Sequence, residues 1–116
     1  MARRSERPEF IWACGLFEGE GSACVYTSGQ CVVQLATTDR DVLERFVEAV
    51  GVGSIHGPHD RSQQGWKPLW KWSCPAAEME ALLLDMTHWM GARRREQFDE
   101  VIVRRQVLRS REEEVV

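Results

Sequence analysis

Glu18 and Glu20 fall in the run Gly15-Leu16-Phe17-Glu18-Gly19-Glu20-Gly21, directly after an apolar stretch from Phe10 to Phe17. That stretch predicts a helix, and the glutamates would close its last turn. A helix C-terminus carries partial negative charge, so a carboxylate there is disfavoured by roughly 0.3–1 kcal/mol. A divalent cation would relieve that conflict. Mg²⁺ is a hard ion that accepts one or two carboxylates together with phosphate and water oxygens. It would polarise a phosphate and stabilise a leaving oxygen. The competing reading makes both glutamates ordinary helix-end charges. Glu18 fits a structural role at the helix junction better than a ligand's.

The same helix offers a way to pair such carboxylates. Pro8 suits its first turn. Phe10, Ile11, Trp12, Ala13, Cys14, Leu16 and Phe17 make it apolar on several sides, and such a helix is buried on more than one side. Its own core covers one side. In a chain of 116 residues a second copy is the natural cover for the other. Gly15 and Gly19 allow close backbone approach, a rule best attested in membranes, and favour a self-complementary two-fold contact. The expected interface residues are Ile11, Gly15, Glu18 and Gly19.

The rest of the chain must hold this helix end against a substrate. Residues 21–26 alternate, with Ala23 and Val25 on one side and Ser22, Cys24 and Tyr26 on the other. Ser28-Gly29-Gln30 signals a turn, and residues 31–37 continue the hairpin. Val42, Leu43, Phe46, Val47 and Val50 form the apolar stripe of a helix over 38–50, with Thr38 able to cap it and Gly51 to stop it. A short strand over 53–56, a polar loop over 57–65 and a strand over 66–73 make a second hairpin. Pro75 opens a helix with a Met79, Leu82, Leu83, Met86 and Met90 stripe. A last helix over 93–108 buries Phe98, Val101, Ile102 and Leu108. The expected fold is α+β: a four-stranded antiparallel sheet with helices on one face.

The other face of that sheet is polar. Ser22, Cys24, Tyr26, Gln30, Gln34, His56, Lys67 and Lys71 are expected on it. Lysine suits guanine edges or phosphates and glutamine suits adenine in a major groove. Arg61 lies in the polar loop, within reach of flanking phosphates. Each residue alone is equally readable as solvated surface; the set favours DNA contact. Trp70 and Trp72 alternate into the core. His56, His59 and Asp60 are split by Gly57-Pro58 and make a poor metal site. Arg93, Arg94 and Arg95 open the last helix, where its dipole disfavours them, which favours phosphate contact.

Composition bounds the function. The chain is 43% hydrophobic and 28% charged, with a net charge of −3. That balance argues mildly against nucleic acid, and keeps a purely structural dimer in view. The charge is unevenly spread, however. Residues 22–38 hold no charged side chain, residues 52–77 carry a net +2, and residues 110–116 carry a net −2. The local field attracts phosphate, whatever the total. Four cysteines, at 14, 24, 31 and 74, form no CxxC pair and read as reduced small hydrophobes. No run is long enough for a membrane span, and MARRSERPEF has no apolar leader core, so no membrane partner and a cytoplasmic location are expected. The expected organisation is a flexible basic arm over 1–8, one domain over 9–109 and a solvated acidic tail over 110–116.

The run from Ala13 to Gly21 resembles the LAGLIDADG motif of homing endonucleases. Gly15 and Gly21 match its two glycines, and Glu18 and Glu20 match its two acidic positions. The order of elements resembles the family's αββαββα unit, Val50-Gly51-Val52-Gly53 its G-V-G turn, and Arg93-Arg94-Arg95 its basic site. The resemblance covers roughly residues 9–105. It implies a homodimer, with one motif per chain packed at a two-fold axis. It implies an endonuclease of double-stranded DNA that cuts a near-palindromic site and leaves short 3′ overhangs. Glu20 and the Gly19 carbonyl would hold Mg²⁺ or Mn²⁺, and Arg94 would stand where the family commonly has lysine. Thr37 stands where a glutamine often organises water. Arginine does not lose a proton near neutrality. These departures keep open an alternative: a DNA-binding regulator or splicing cofactor on the same fold, with weak or no cleavage.

Overall fold

The computed structural model describes residues 3–115. Helix α1 spans Pro8–Glu20, strand β1 Gly21–Val25, strand β2 Cys31–Thr37 and helix α2 Arg40–Val50. Strand β3 spans Ser54–His59, strand β4 Leu69–Ser73, helix α3 Ala76–Thr87 and helix α4 Ala92–Val115. The strands form one antiparallel sheet in the order β1-β2-β4-β3. The expected α+β architecture is the observed one.

The alternation in β1 and β2 places the core. Ala23, Cys31, Val33 and Leu35 are buried under the helices, and Trp72 joins them from β4. Phe10, Ala13, Cys14 and Phe17 of α1 meet Leu43, Phe46 and Val50 of α2 and Leu82, Leu83 and Met86 of α3 in one cluster. Phe17 stacks edge-on against Phe98 of α4, and Phe46 against Trp72. Such pairs add about 0.5–1.5 kcal/mol beyond burial. The methionine stripe and Trp72 are core, as their spacing indicates.

Val50-Gly51-Val52-Gly53 now has a physical reason. Gly51 ends α2 in the left-handed conformation at φ 76°, its N–H donating to the Val47 carbonyl. Gly53 sits at φ 91° beneath the Trp72 indole. That indole N–H donates to the Val52 carbonyl at 2.9 Å. A Cβ at 53 would lie 2.7 Å from the Ser73 carbonyl and run into the indole itself. Gly53→Ala is therefore expected to cost about 2–3 kcal/mol, combining left-handed strain with displacement of a buried tryptophan. A fall in urea midpoint at unchanged slope checks this.

Boundaries differ from expectation in physically simple ways. The expected cap Thr38 is passed over: Asp39 occupies the N-cap without a side-chain bond, and the Thr37 hydroxyl accepts the Asp39 N–H instead. β3 runs on to His59 across an irregularity after His56, and β4 starts only at Leu69. Of the expected flexible arm, residues 1 and 2 lie outside the described residues, and Arg4–Glu6 form a 3-10 turn. Arg4 bonds Asp85 and the Val50 carbonyl, and the Trp89 indole donates to the Ser5 carbonyl. The acidic tail continues α4 as far as Val115. Among the described residues no helix is long and apolar enough to cross a membrane.

All four cysteines are free thiols. Burial pushes Cys14 and Cys74 up to about 12, from an ordinary 9.0. The unfolded chain loses these protons between pH 9 and 12 while the folded chain keeps them. Stability is therefore expected to be unaffected by these thiols below pH 9 and to fall as pH rises through that window. Urea midpoints of wild type and the Cys14→Ala/Cys74→Ala variant, compared across alkaline pH, check it.

Candidate nucleic-acid interface and cleavage site

Strand pairing turns the polar residues into rows. Ser22 of β1 faces Gln34 of β2, Gln34 faces Ser73 of β4, and Ser73 faces Ser54 of β3. The next row is Ala36, Lys71 and His56. The His56 Nε2 lies 3.1 Å from the Ser54 hydroxyl. Cys24 pairs with Val32 on this same face. None of these side chains is buried, whereas the alternate residues are core. Tyr26 and Gln30 extend the face at the first hairpin turn, and Lys67 precedes β4; all three are exposed. The sheet thus leaves one face uncovered, polar and free of acidic side chains. Ser54 and Ser73 belong to it by the same alternation as His56 and Lys71, and the register aligns them with Gln34 and Ser22.

Thr37 is placed differently. Opposite Trp70 in the pairing, it shares the helix-covered side with Leu35. It lines a cavity of about 490 Å³ whose other walls include Leu16, Glu20, Asp39, Arg61 and Leu69. Glu20 is exposed at the end of α1, and no ion pair among the described residues engages it. Glu18, by contrast, is engaged. Its carboxylate accepts the Gly91 N–H at 3.3 Å, next to the start of α4, where an anion is favoured.

The arginine cluster is split by its contacts. Arg94 is only 7% exposed. Its Nε donates to the Glu18 carbonyl at 3.2 Å and its Nη1 to the Gln97 side chain at 3.0 Å. Its guanidinium also lies 5.8 Å from the Phe17 ring centroid. Burial, then the neighbouring Arg93 charge, lowers its pKa, while Glu18 opposes them. Arg95 donates to the Thr87 and His88 carbonyls at the end of α3. Arg93 is exposed. Two of the three expected phosphate contacts therefore cap the C-termini of other helices, and Arg4 does the same for α2. Cations at helix C-termini are favourable, so the unfavourable start of α4 is offset across space.

Arg61 is also fixed. Its Nε and Nη2 both donate to the Lys67 carbonyl, at 3.0 and 2.8 Å. Its guanidinium lies 5.2 Å from the Trp66 ring centroid. The Asp60 carboxyl is held below its ordinary pKa by the Ser62 N–H. The loop over 60–67 is thus braced internally.

The dimer candidates lie along one side of α1. Gly15 and Gly19 are exposed, with nothing within 4 Å of a Cβ placed on either. Ile11 and Glu18 beside them are half-buried. The chain covers more of α1 than its all-round apolar pattern suggests: Arg45 stacks over Trp12 at 3.8 Å and binds Glu9 with two bonds.

Glu20 and the Gly19 carbonyl are hard oxygen donors at an open helix end, a set that suits Mg²⁺ or Mn²⁺. Among the described residues no three His, Cys, Asp or Glu side chains gather into a metal cage. The remaining oxygens of such a site must come from phosphate, water or a second chain.

No family model matches the sequence, and no curated protein does. The fold, however, is that of known nucleases. It superposes on the crystal structure of the homing endonuclease I-CvuI in complex with its target in the presence of Ca with a TM-score of 0.60 and 17% identity. A second I-CvuI structure, with the I-CreI target and Mg and its DNA not cleaved, gives 0.57 and 14%. Each match covers 81% of this chain but only 63% of the other. The chain has the homing-endonuclease fold.

Proposed function

We propose that this chain is a site-specific, metal-dependent endonuclease of double-stranded DNA that works as a homodimer on a near-palindromic site. The observation that carries the reading is Glu20. It is an exposed carboxylate with no ion pair among the described residues, at the end of α1 and directly before β1, in a fold whose solved examples include I-CvuI with its target.

Each part has a physical role. The Ser22, Gln34, Ser73 and Ser54 row, with Cys24, Tyr26, Gln30, His56, Lys67 and Lys71, lies along a major groove and reads base edges. Arg93 contacts backbone phosphate. Ile11, Gly15, Glu18 and Gly19 pack against their two-fold copies, which brings two Glu20 side chains to the axis. Paired carboxylates repel, and a shared cation relieves them. Glu20 and the Gly19 carbonyl hold Mg²⁺ or Mn²⁺, which when bound supplies Lewis-acid stabilisation of the developing phosphate charge. A second reading, a DNA-binding regulator, is favoured by one observation: Thr37 and Arg94, at the positions implied to serve catalysis, are engaged in internal bonds.

Incubating the protein with a randomised duplex library and Mg²⁺, then sequencing the cut ends, separates the two. Staggered double-strand breaks centred on a near-palindrome are expected. An intact library in both Mg²⁺ and Mn²⁺, with binding that survives in EDTA, would establish the regulator instead.

A further inference from the structure

Arg61 and Arg94 differ in what their charges can reach. Arg94 is nearly enclosed, with donors committed to the Glu18 carbonyl and Gln97. Moving it to a phosphate would strip the end of α1 of a bond and leave a partly buried carbonyl without it. Such a loss is more costly than a surface hydrogen bond is worth. Arg61 has the opposite setting. It lines the cavity that also contains Glu20, Thr37 and Asp39. Two of its five N–H groups are anchored on the neutral Lys67 carbonyl, and the other three remain. No carboxylate among the described residues pairs with it. Its charge is therefore oriented but uncompensated.

We propose that Arg61, rather than Arg94, is the cation that meets the DNA phosphate beside Glu20, while Arg94 braces the motif helix from behind. This rests on the endonuclease reading and gives its cavity a division of labour. Glu20 brings negative charge and Arg61 brings positive charge to the same cavity. The anchoring carbonyl is neutral, so it fixes the fork without quenching it. A guanidinium held in this way acts without reorganisation when charge develops on the phosphate. Asp39, on the same cavity wall, tempers the local field but forms no ion pair with Arg61.

The test uses binding and cleavage separately. Affinity for a random-sequence duplex is measured in EDTA across salt concentrations, for wild type, Arg61→Gln, Arg61→Lys and Arg94→Met. Each phosphate contact contributes about 0.9 to the slope of log affinity against log salt. Arg61→Gln is expected to lower that slope by about 0.9 per chain, with Arg61→Lys restoring most of it. Arg94→Met is expected to leave the slope unchanged and to lower the thermal midpoint. On a cleavable duplex in Mg²⁺, Arg61→Gln is expected to slow single-turnover cutting by about 10²-fold. An unchanged slope in Arg61→Gln overturns the proposal even if wild type cuts DNA. A lowered slope in a chain that cuts nothing upholds the phosphate contact and sinks only the nuclease reading. No salt dependence in wild type ends both. If Arg94→Met does not fold, the contrast between Arg61→Gln and Arg61→Lys decides alone.

Discussion

Glu20→Gln is expected to abolish double-strand cleavage, by about 10³-fold or more, while leaving the fold and DNA binding in place. The magnitude follows from removing a charge-organising group at the reacting phosphate, where a single such loss costs 10²–10³. In the proposed homodimer the substitution acts in both copies. The fold should not notice. Glu20 is exposed and unpaired, and substitutions at such surface positions usually change stability by less than about 0.5 kcal/mol. Removing an anion from a helix C-terminus is mildly favourable in any case.

The sign of the binding change is a sharper check. In the proposed dimer, two Glu20 carboxylates beside a phosphate backbone would repel it unless a cation intervenes. In EDTA, Glu20→Gln should therefore bind duplex DNA more tightly than wild type. Adding Mg²⁺ or Ca²⁺ should close that gap by strengthening wild type. Cutting by Glu20→Gln at the wild-type rate would remove Glu20 from the chemistry. Equal affinities with and without cation would remove the metal from Glu20.

How far the sequence could have led is clearest at the arginines. Period and turn chemistry located the helices and strands, because Ala23, Val33, Leu35, Leu43, Phe46 and Phe98 each sit on a face that only one element type can bury. The run ending in Glu20 was legible for the same reason: it breaks a helix rule in one local window. Arg93-Arg94-Arg95 breaks a rule too, and the inference of phosphate contact was reasonable on that window alone. In the fold, Arg94 finds the end of α1, 76 residues away in the chain, and Arg95 the end of α3, seven and eight residues before it. Nothing local encodes that the end of α1 will face Arg94. The polar row has the same lesson. Alternation alone turns Gln34, Ser73 and Ser54 outward, but that they line up in one row depends on a register fixed by the whole sheet. Thr37 fell on the covered side because its strand keeps strict alternation as far as the turn into α2.

Gly15→Leu is expected to convert a dimer into a monomer while leaving the single chain at least as stable. Inside the chain there is room for a side chain at Gly15: beyond its own helix backbone, a Cβ there has no neighbour within 4 Å. Glycine in a helix interior costs roughly 0.5–1 kcal/mol relative to alanine. Leucine, nearly as good a helix former as alanine, should recover most of that in the isolated protomer. Such a gain from filling a glycine is ordinary; its coincidence with lost association is not. If α1 packs on its own copy through Gly15 and Gly19, the substitution puts two leucine side chains, one from each chain, into the close helix contact. The helices must then separate, and the contact area falls below what a specific interface requires, about 1,200 Å² in total. Sedimentation at micromolar concentration should show wild type as dimer and Gly15→Leu as monomer, with a thermal midpoint equal to or above that of dissociated wild type. If each half-site is read by one chain, as proposed, the variant should retain weak, salt-dependent DNA binding but lose double-strand cutting. A Gly15→Leu protein that remains dimeric would move the interface off α1, and with it the reason for bringing two Glu20 carboxylates together.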